Sequence, residues 1–345
     1  MKWAPRTSWR FPRTKEFLYT VSGGKIAGFR INASDGSLAP VNSVDSDGAY
    51  CYCHVDVSPD GRFIGAADYL AGLFDFYRLN TDGSIGDYIG RFDKFGNGPD
   101  KKRQEKPYGH AAYFIKTADN SMHALLVDLG SDRVSILDWD EASGKFVQNV
   151  AVPELKVPAG HGSRHLAYFE NPDGSLDVFV NNELASTVTF FRVQLLKGKE
   201  KAENFGTWST LPAEFDGKVS WDQDAVDADE KLILMNSTAE TACIPGKNGA
   251  PTTVYVSNRG HNSIAIFHVA GANADTLVPV QFQPSGGNAP RYFAIDSTGR
   301  RMVVANKRSG SIYTFNIAAD GTLSPTGLDP VWSPWAVAMV FVPKK

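Results

Sequence analysis

The stretch Arg164–Val193, RHLAYFENPDGSLDVFVNNELASTVTFFRV, reads as three strands of one unit. RHLAYF is a first strand, NPDG a tight turn, DVFVNNEL a second strand, and STVTFFRV a third after a short connection. β-Branched and aromatic residues make the strands; Gly, Pro, Asn and Asp bound them. The second and third strands recur as FLYTVS/GKIAGFRI (17–31), RFIGAADY/AGLFDFYRL (62–79), MHALLVDLG/DRVSILDW (122–139), TVYVSNRG/NSIAIFHV (253–269) and RMVVANKR/GSIYTFNI (301–317). Counting the opening stretch, six copies are visible.

Asp68, Asp128, Asn182, Asn258 and Asn306 mark equivalent turn positions, separated by 60, 54, 76 and 48 residues. The shortest interval matches the roughly 40–50 residue period of propeller blades, and the longer ones carry inserted loops, chiefly 90–108 and 195–235. First strands precede several pairs (CYCHVDVS, GHAAYFIK, RHLAYFEN, RYFAIDS), and fourth strands follow (GSLAPVNSV, GSIGDYIGRF, GKFVQNVAV, GTLSPTGL). Repeated four-stranded antiparallel units predict an all-β fold, a β-propeller of the seven-bladed type with six full repeats and a partial seventh. The whole chain, 1–345, forms one domain in this reading, with 1–16 an irregular N-terminal segment. A β-sandwich of this size would show no such self-similarity. WAVAMVF (335–341) reads as the first strand of a further blade and TSWRF as a weak first strand. Closure with six blades and a missing N-terminal segment both stay open.

Composition sets limits. A formal net charge of -3 gives no support for a nucleic-acid or membrane-surface partner. No apolar run reaches the roughly 18 residues of a membrane span. The basic start MKWAPRTSWRFPRTKE lacks the apolar core of a secretory signal, and a strand beginning at Phe17 argues against a transit peptide. Cys51, Cys53 and Cys243 make no disulfide framework, so reduced, buried thiols and a cytoplasmic location are expected. A monomer or weak homo-oligomer is expected.

Alternating strands place first-strand starts and second-strand ends on one rim. The starts bring His54, His110, Arg164, His165 and Arg291; the ends bring Asp68, Tyr69, Asp128, Asn182, Glu183, Asn258, Arg259, His261 and Asn306. Asp128 and Asn306 read as turn caps. His165 should point to the face opposite Arg164 and pack between blades, while His123 and His161 fall outside the matched positions. Glu183, Arg164, Arg259 and His110 are harder to explain structurally, because charged groups are seldom buried unpaired; a Glu–Arg ion pair at the channel mouth is the bland alternative. No Gly-rich phosphate loop, nucleophile elbow or zinc motif is present. Two arginines repel a cation and favour an anionic ligand, so neither metal nor cofactor is expected.

At these residues the chain resembles the lactonase family of seven-bladed propellers, the bacterial 6-phosphogluconolactonase type. The pieces are CHVDVSPDGRF, RQEKPYGHAAYF, VDLGSDRV, GSRHLAYF, VNNELASTV, YVSNRGHNSIAIF and PRYFAIDSTGR, spanning Phe17 to Phe341. Fungal carboxymuconate cyclases are similar in the His, Arg and Glu positions. The resemblance implies a metal-independent site whose catalytic groups are His110 of GHAAYF, Arg164 of GSRHLAYF, Glu183 of VNNEL and Arg259 of VSNRGH. His54, Asp68, Tyr69, Asn182, His261 and Arg291 would line the substrate. The sequence departs from the family at Tyr108, where a second histidine is common, and at Ser22-Gly23, where an acid is common. The expected activity is hydrolysis of a sugar-derived anionic lactone. The arginines would hold its carboxylate or phosphate. His110 would be the better base, because a carboxylate between two arginines is held ionised. A cycloisomerase of the carboxymuconate type and a non-enzymatic scaffold are the alternatives. For a scaffold, Lys101, Lys102, Arg103 and Lys106 on the 90–108 loop offer a partner surface, although a solvated loop is the plainer reading.

Overall fold

The computed structural model describes residues 16–94, 96–216, 218–219, 235–246 and 249–341. These form six sheets that follow one another along the chain. The first is β1 (Phe17–Ser22), β2 (Lys25–Ile31) and β3 (Leu38–Asp45). The second is β4 (Tyr52–Val57), β5 (Phe63–Asp68), β6 (Leu73–Leu79) and β7 (Ile85–Phe92). The third is β8 (Gly109–Lys116), β9 (Met122–Asp128), β10 (Arg133–Asp140) and β11 (Lys145–Gln148), with β12 (Glu154–Lys156) also on β10. The fourth is β13 (Ser163–Glu170), β14 (Leu176–Asn182), β15 (Thr187–Gln194) and β16 (Lys201–Ser209).

In the fifth sheet, β17 (Lys218–Val219) pairs in parallel with β18 (Met235–Ile244), followed by β19 (Thr253–Arg259), β20 (Ser263–Ala270) and β21 (Thr276–Pro284). The sixth is β22 (Pro290–Ile295), β23 (Arg301–Asn306), β24 (Ser311–Ile317) and β25 (Leu323–Pro325), with β26 (Val331–Trp332) also on β24. The chain divides into two compact units: residues up to Ala159 with Leu195–Lys201, and Gly160–Gln194 with Ala202–Phe341.

The expected strand pairs all form, and each sheet is an antiparallel blade apart from β17. The segment 335–341 forms no strand, which corrects the reading of WAVAMVF as the start of a further blade. Trp335 sits at φ 62, a left-handed backbone that a strand does not tolerate. TSWRF lies outside the described residues.

Second strands β5, β9, β14 and β19 are buried along their whole length, as their near-continuous apolar runs require. In the first unit, Phe63, Phe74, Phe76 and Phe114 fill the space between the second and third sheets. In the second unit, Phe179, Phe190 and Phe267 fill that between the fourth and fifth. Tyr19 and Tyr255 occupy matching second-strand positions. Each donates its hydroxyl to the glycine carbonyl of an Asp-Gly turn on the following blade, Tyr19 to Gly83 at 2.7 Å and Tyr255 to Gly321 at 2.8 Å. Burial pushes the Tyr19 hydroxyl up to about 12, so it stays a donor.

Two irregularities recur. Between second and third strands, four residues follow the Asp or Asn in five blades, and the fourth is left-handed: Gly72, Asp132, Ser186, Asn262 and Gly310. The other lies in the first strand, where one extra residue bulges out of the ladder. In β4 it is Cys53, between the pairs Tyr52–Asp68 and His54–Ala67. In β8 it is His110, in β13 Arg164 and in β22 Arg291. In β18 Ala239 and Glu240 together oppose Ser257. The amide of the residue after the Asp or Asn then reaches the carbonyl just before the first strand, as in Tyr69–Cys51 at 3.0 Å and Glu183–Gly162 at 2.7 Å. A bulge re-aims a side chain, and here it does so at one position per blade.

Gly72 is both left-handed and crowded, since an added Cβ would lie 2.6 Å from the Pro107 carbonyl oxygen. Gly72→Ala is expected to cost about 2 kcal/mol or more, whereas Asn262→Gly keeps the left-handed backbone unstrained and should cost only about 1 kcal/mol, for the side-chain hydrogen bonds to Ala289 and Asn288. Chemical denaturation of the two variants measures the difference.

Candidate functional site

In the second unit, three of the four expected catalytic residues meet. Arg164 enters from the β13 bulge, Glu183 follows Asn182 at the end of β14, and Arg259 ends β19. Arg164 Nε donates to Glu183 Oε2 at 2.8 Å, and Arg259 Nη2 lies 3.1 Å from the same oxygen. Each guanidinium also holds a main-chain carbonyl of the β18 bulge. Arg164 Nη1 donates to Ala239, and Arg259 Nη2 donates to Thr238 at 2.6 Å. The three side chains are 2%, 5% and 4% exposed for Arg164, Glu183 and Arg259. One carboxylate oxygen thus faces two buried positive charges, and backbone oxygens help to fix both planar forks.

His165 and Glu240 adjoin this cluster. His165 Nδ1 lies 3.1 Å from both Glu240 oxygens, and the His165 amide donates to Asn181 Oδ1 at 2.7 Å. His165 packs between the fourth and fifth blades, as expected, and its ring meets the Glu240 carboxylate there.

In the first unit, His110 is the bulge residue of β8 and is buried. Cys53 Sγ lies 4.0 Å from its Nδ1, and the Tyr69 ring stands edge-on at 5.5 Å. Tyr69 packs at 4.8 Å against Tyr108, whose hydroxyl donates to Glu105, and Arg103 Nη2 donates to the Tyr69 hydroxyl at 3.1 Å. Burial and the Glu105 carboxylate raise the Tyr108 hydroxyl well above its usual range, so it remains a donor where the family often has histidine.

The remaining expectations divide. His54 does not match His110, because the register places Cys53 at the bulge and His54 one step beyond, at the position of Ala111 and His165. The His54 ring packs on Tyr113 at 4.9 Å. Asp68 caps its turn by accepting the amides of Tyr50, Cys51 and Ala71 at 2.6–2.8 Å. Asn182 is held by the hydroxyls of Thr187 and Thr189, both at 2.9 Å. His261 Nδ1 lies 2.7 Å from Ser263 Oγ, and burial pushes its pKa down. Arg291 is the bulge residue of β22 and half-buried. The 90–108 loop is not simply solvated: Gln104 is fully buried and donates to Leu129 O and Asp132 Oδ1 at 2.8 and 2.7 Å. Among the described residues, no group of three or more His, Cys, Asp or Glu is arranged to hold a metal ion.

The family model "Lactonase, 7-bladed beta-propeller" matches residues 7–341. The chain belongs to this lactonase family. An uncharacterised protein of Staphylococcus saprophyticus is 29% identical over 297 residues, covering 84% of this chain and 75% of that one. One from Staphylococcus aureus is 29% identical over 307 residues, covering 88% and 79%. Among solved structures, a putative 6-phosphogluconolactonase from Bacteroides fragilis aligns with a TM-score of 0.74 at 24% identity, over 95% of this chain and 85% of that one. The periplasmic gluconolactonase of Pseudomonas aeruginosa gives 0.75 at 20% identity, over 96% and 86%. At those identities the two structures speak for the fold.

Sequence reading of this lactonase-family chain missed Glu240. Its first strand, MNSTAETACI, follows the long insertion and is polar, so alternation did not reveal it. The available signal was spacing, since a first strand is required ahead of TVYVSNRG in every blade. Cys53 was missed because a bulge is invisible to a period of two.

Asp128 is a turn cap, as expected: it accepts the Tyr108 amide at 2.6 Å and the Ser131 hydroxyl. Burial nevertheless raises its carboxyl from 3.8 to about 6. The native group therefore binds its proton more tightly than the unfolded chain does. Its stabilising contribution is full below pH 3.8 and is lost as pH rises through about 6. Asp128→Asn, the residue found at three sister turns, should flatten the fall in Tm between pH 4 and 7. Thermal melts across that range check it.

Proposed function

We propose that this lactonase-family chain hydrolyses a sugar-derived lactone bearing a carboxylate or phosphate, with no metal taking part. The shared Glu183 oxygen carries this reading, because two buried guanidinium forks meet at one point, and such forks bind a carboxylate or phosphate with two donors each. Arg164 and Arg259 bind the anionic group and stabilise negative charge developing on the lactone carbonyl oxygen. The general base that the resemblance implies is His110.

In this scheme the general base takes a proton from water while the water oxygen bonds to the carbonyl carbon. Collapse of the resulting oxyanion breaks the ring C–O bond, and the proton passes to the departing alkoxide. Glu183 keeps the two arginines together.

Arg259→Ala leaves Glu183 paired with Arg164, so the fold should persist while kcat/KM for 6-phosphogluconolactone falls by about 10² or more. Glu183→Ala strands two buried charges and should cost about 3–5 kcal/mol of stability. His110→Asn should remove the acid limb of the pH–rate profile, where a general base is lost to protonation. Near-normal turnover by Arg259→Ala, or turnover of a carboxymuconate and no lactone, would overturn the assignment; titration with a pH-stat for lactones and absorbance for muconates measures both.

A further inference from the structure

We propose that Glu240 is a positioning residue for Arg164 and Arg259, acting through the β18 bulge and through His165; the inference rests on the lactone-hydrolase reading above. The two carbonyls that hold the guanidiniums belong to Thr238 and Ala239, the residues immediately before Glu240. Whatever fixes the bulge therefore fixes where both positive charges sit.

Glu240 makes that connection three times. A bulge leaves the amide of its extra residue without a ladder partner, and the Glu240 amide instead donates to Ser257 Oγ at 3.0 Å. Its carboxylate folds back to accept the Thr241 amide through Oε1 at 3.0 Å, closing the far side of the bulge. The same carboxylate binds Nδ1 of His165, the residue next to Arg164 on β13. One side chain thus ties the strand that supplies both carbonyls to the strand that supplies Arg164.

Burial makes a plain packing role costly. Glu240 is 8% exposed and His165 7% exposed, and an acid taken out of water must be compensated by partners. The neighbourhood also carries unused hydrogen-bonding capacity. The hydroxyls of Ser237 and Thr238 and Nδ2 of Asn181 are buried and have no hydrogen-bond partner among the described residues. Ser237 and Thr238 precede the bulge, and Asn181 holds the His165 amide. All three can donate, which suits the oxygens of a bound anion or its waters.

Glu240→Gln tests the assignment, because it keeps the shape and the acceptor for Thr241 while removing the charge from His165. Misplacing reacting groups by ~1 Å costs on the order of 10² in rate, so kcat/KM for 6-phosphogluconolactone should fall 10- to 100-fold. The loss for uncharged glucono-δ-lactone should be smaller. In an Arg259→Lys background the same substitution should have less effect than in the wild type, since both changes act on one guanidinium. Equal losses for the two lactones, or strict additivity with Arg259→Lys, would overturn the proposal. Should Glu240→Gln fail to fold, Glu240→Asp keeps the charge and should fold with the same preferential loss toward the phosphorylated lactone; wild-type turnover by it would overturn the proposal. Wild-type protein that hydrolyses neither lactone would defeat the lactone-hydrolase reading alone. In that case the rise in Tm given by inorganic phosphate reads the arginine pair without turnover: a rise in wild type that shrinks in Glu240→Gln supports the role. Equal stabilisation of both proteins, or of neither, overturns it.

Discussion

Everything distinctive about this chain hangs on one extra residue in the first strand of a blade. A regular antiparallel ladder alternates side chains between two faces, so successive residues cannot be aimed freely. The bulge interrupts that alternation next to the carbonyl that the following turn must reach. Its side chain then leaves the sheet at the same place in blade after blade: Cys53, His110, Arg164, Glu240 with Ala239, and Arg291. The turn contributes a second fixed position, the residue after the Asp or Asn: Tyr69, Leu129, Glu183, Arg259 and Lys307. The repeated backbone is generic, and the chemistry varies only at these two positions.

The frame also accounts for the burial of charge in the second unit. Two guanidiniums and a carboxylate at this depth are expensive to desolvate, and well-packed hydrophobic residues of similar volume would often be as stable or more so. The backbone lowers that cost because Thr238 and Ala239 supply carbonyl oxygens that a regular strand would spend on its ladder. Retaining two arginines on one carboxylate oxygen makes sense where an anion is to be bound. A purely structural ion pair would need one arginine, as Arg192 with Asp177 illustrates on the same sheet, where both carboxylate oxygens are taken by one guanidinium.

What sequence could disclose follows from the length scale of each feature. Second and third strands were legible because they are buried, long and bounded by Gly, Asn and Asp; β14 and β15 match their expected spans closely. The Arg164, Glu183 and Arg259 grouping was legible too, since three residues at repeat-related positions must converge if the repeats do. The β18 strand was hidden by its polarity and by the insertion before it, and Glu240 went with it. His54 was misaligned with His110 because both open an apolar strand and sequence spacing cannot register a one-residue slip. The apparent strand 335–341 failed for the opposite reason: its composition is right, but composition does not supply a paired neighbour.

The contrast between Asp68 and Glu183 shows how the frame separates structural from chemical acids. They stand one residue apart in the repeat, at the Asp/Asn position and just after it. Asp68 is taken up by three backbone amides around its own turn, so it is committed before any ligand arrives. Glu183 uses its own amide for the turn, donating to the Gly162 carbonyl at 2.7 Å, and so leaves its carboxylate to side chains. The same division explains why Asn replaces Asp at three of the five turns without changing their form, whereas the following position ranges from Tyr to Leu, Glu, Arg and Lys. An acid one step further along the chain is released from the fold and becomes available to the site.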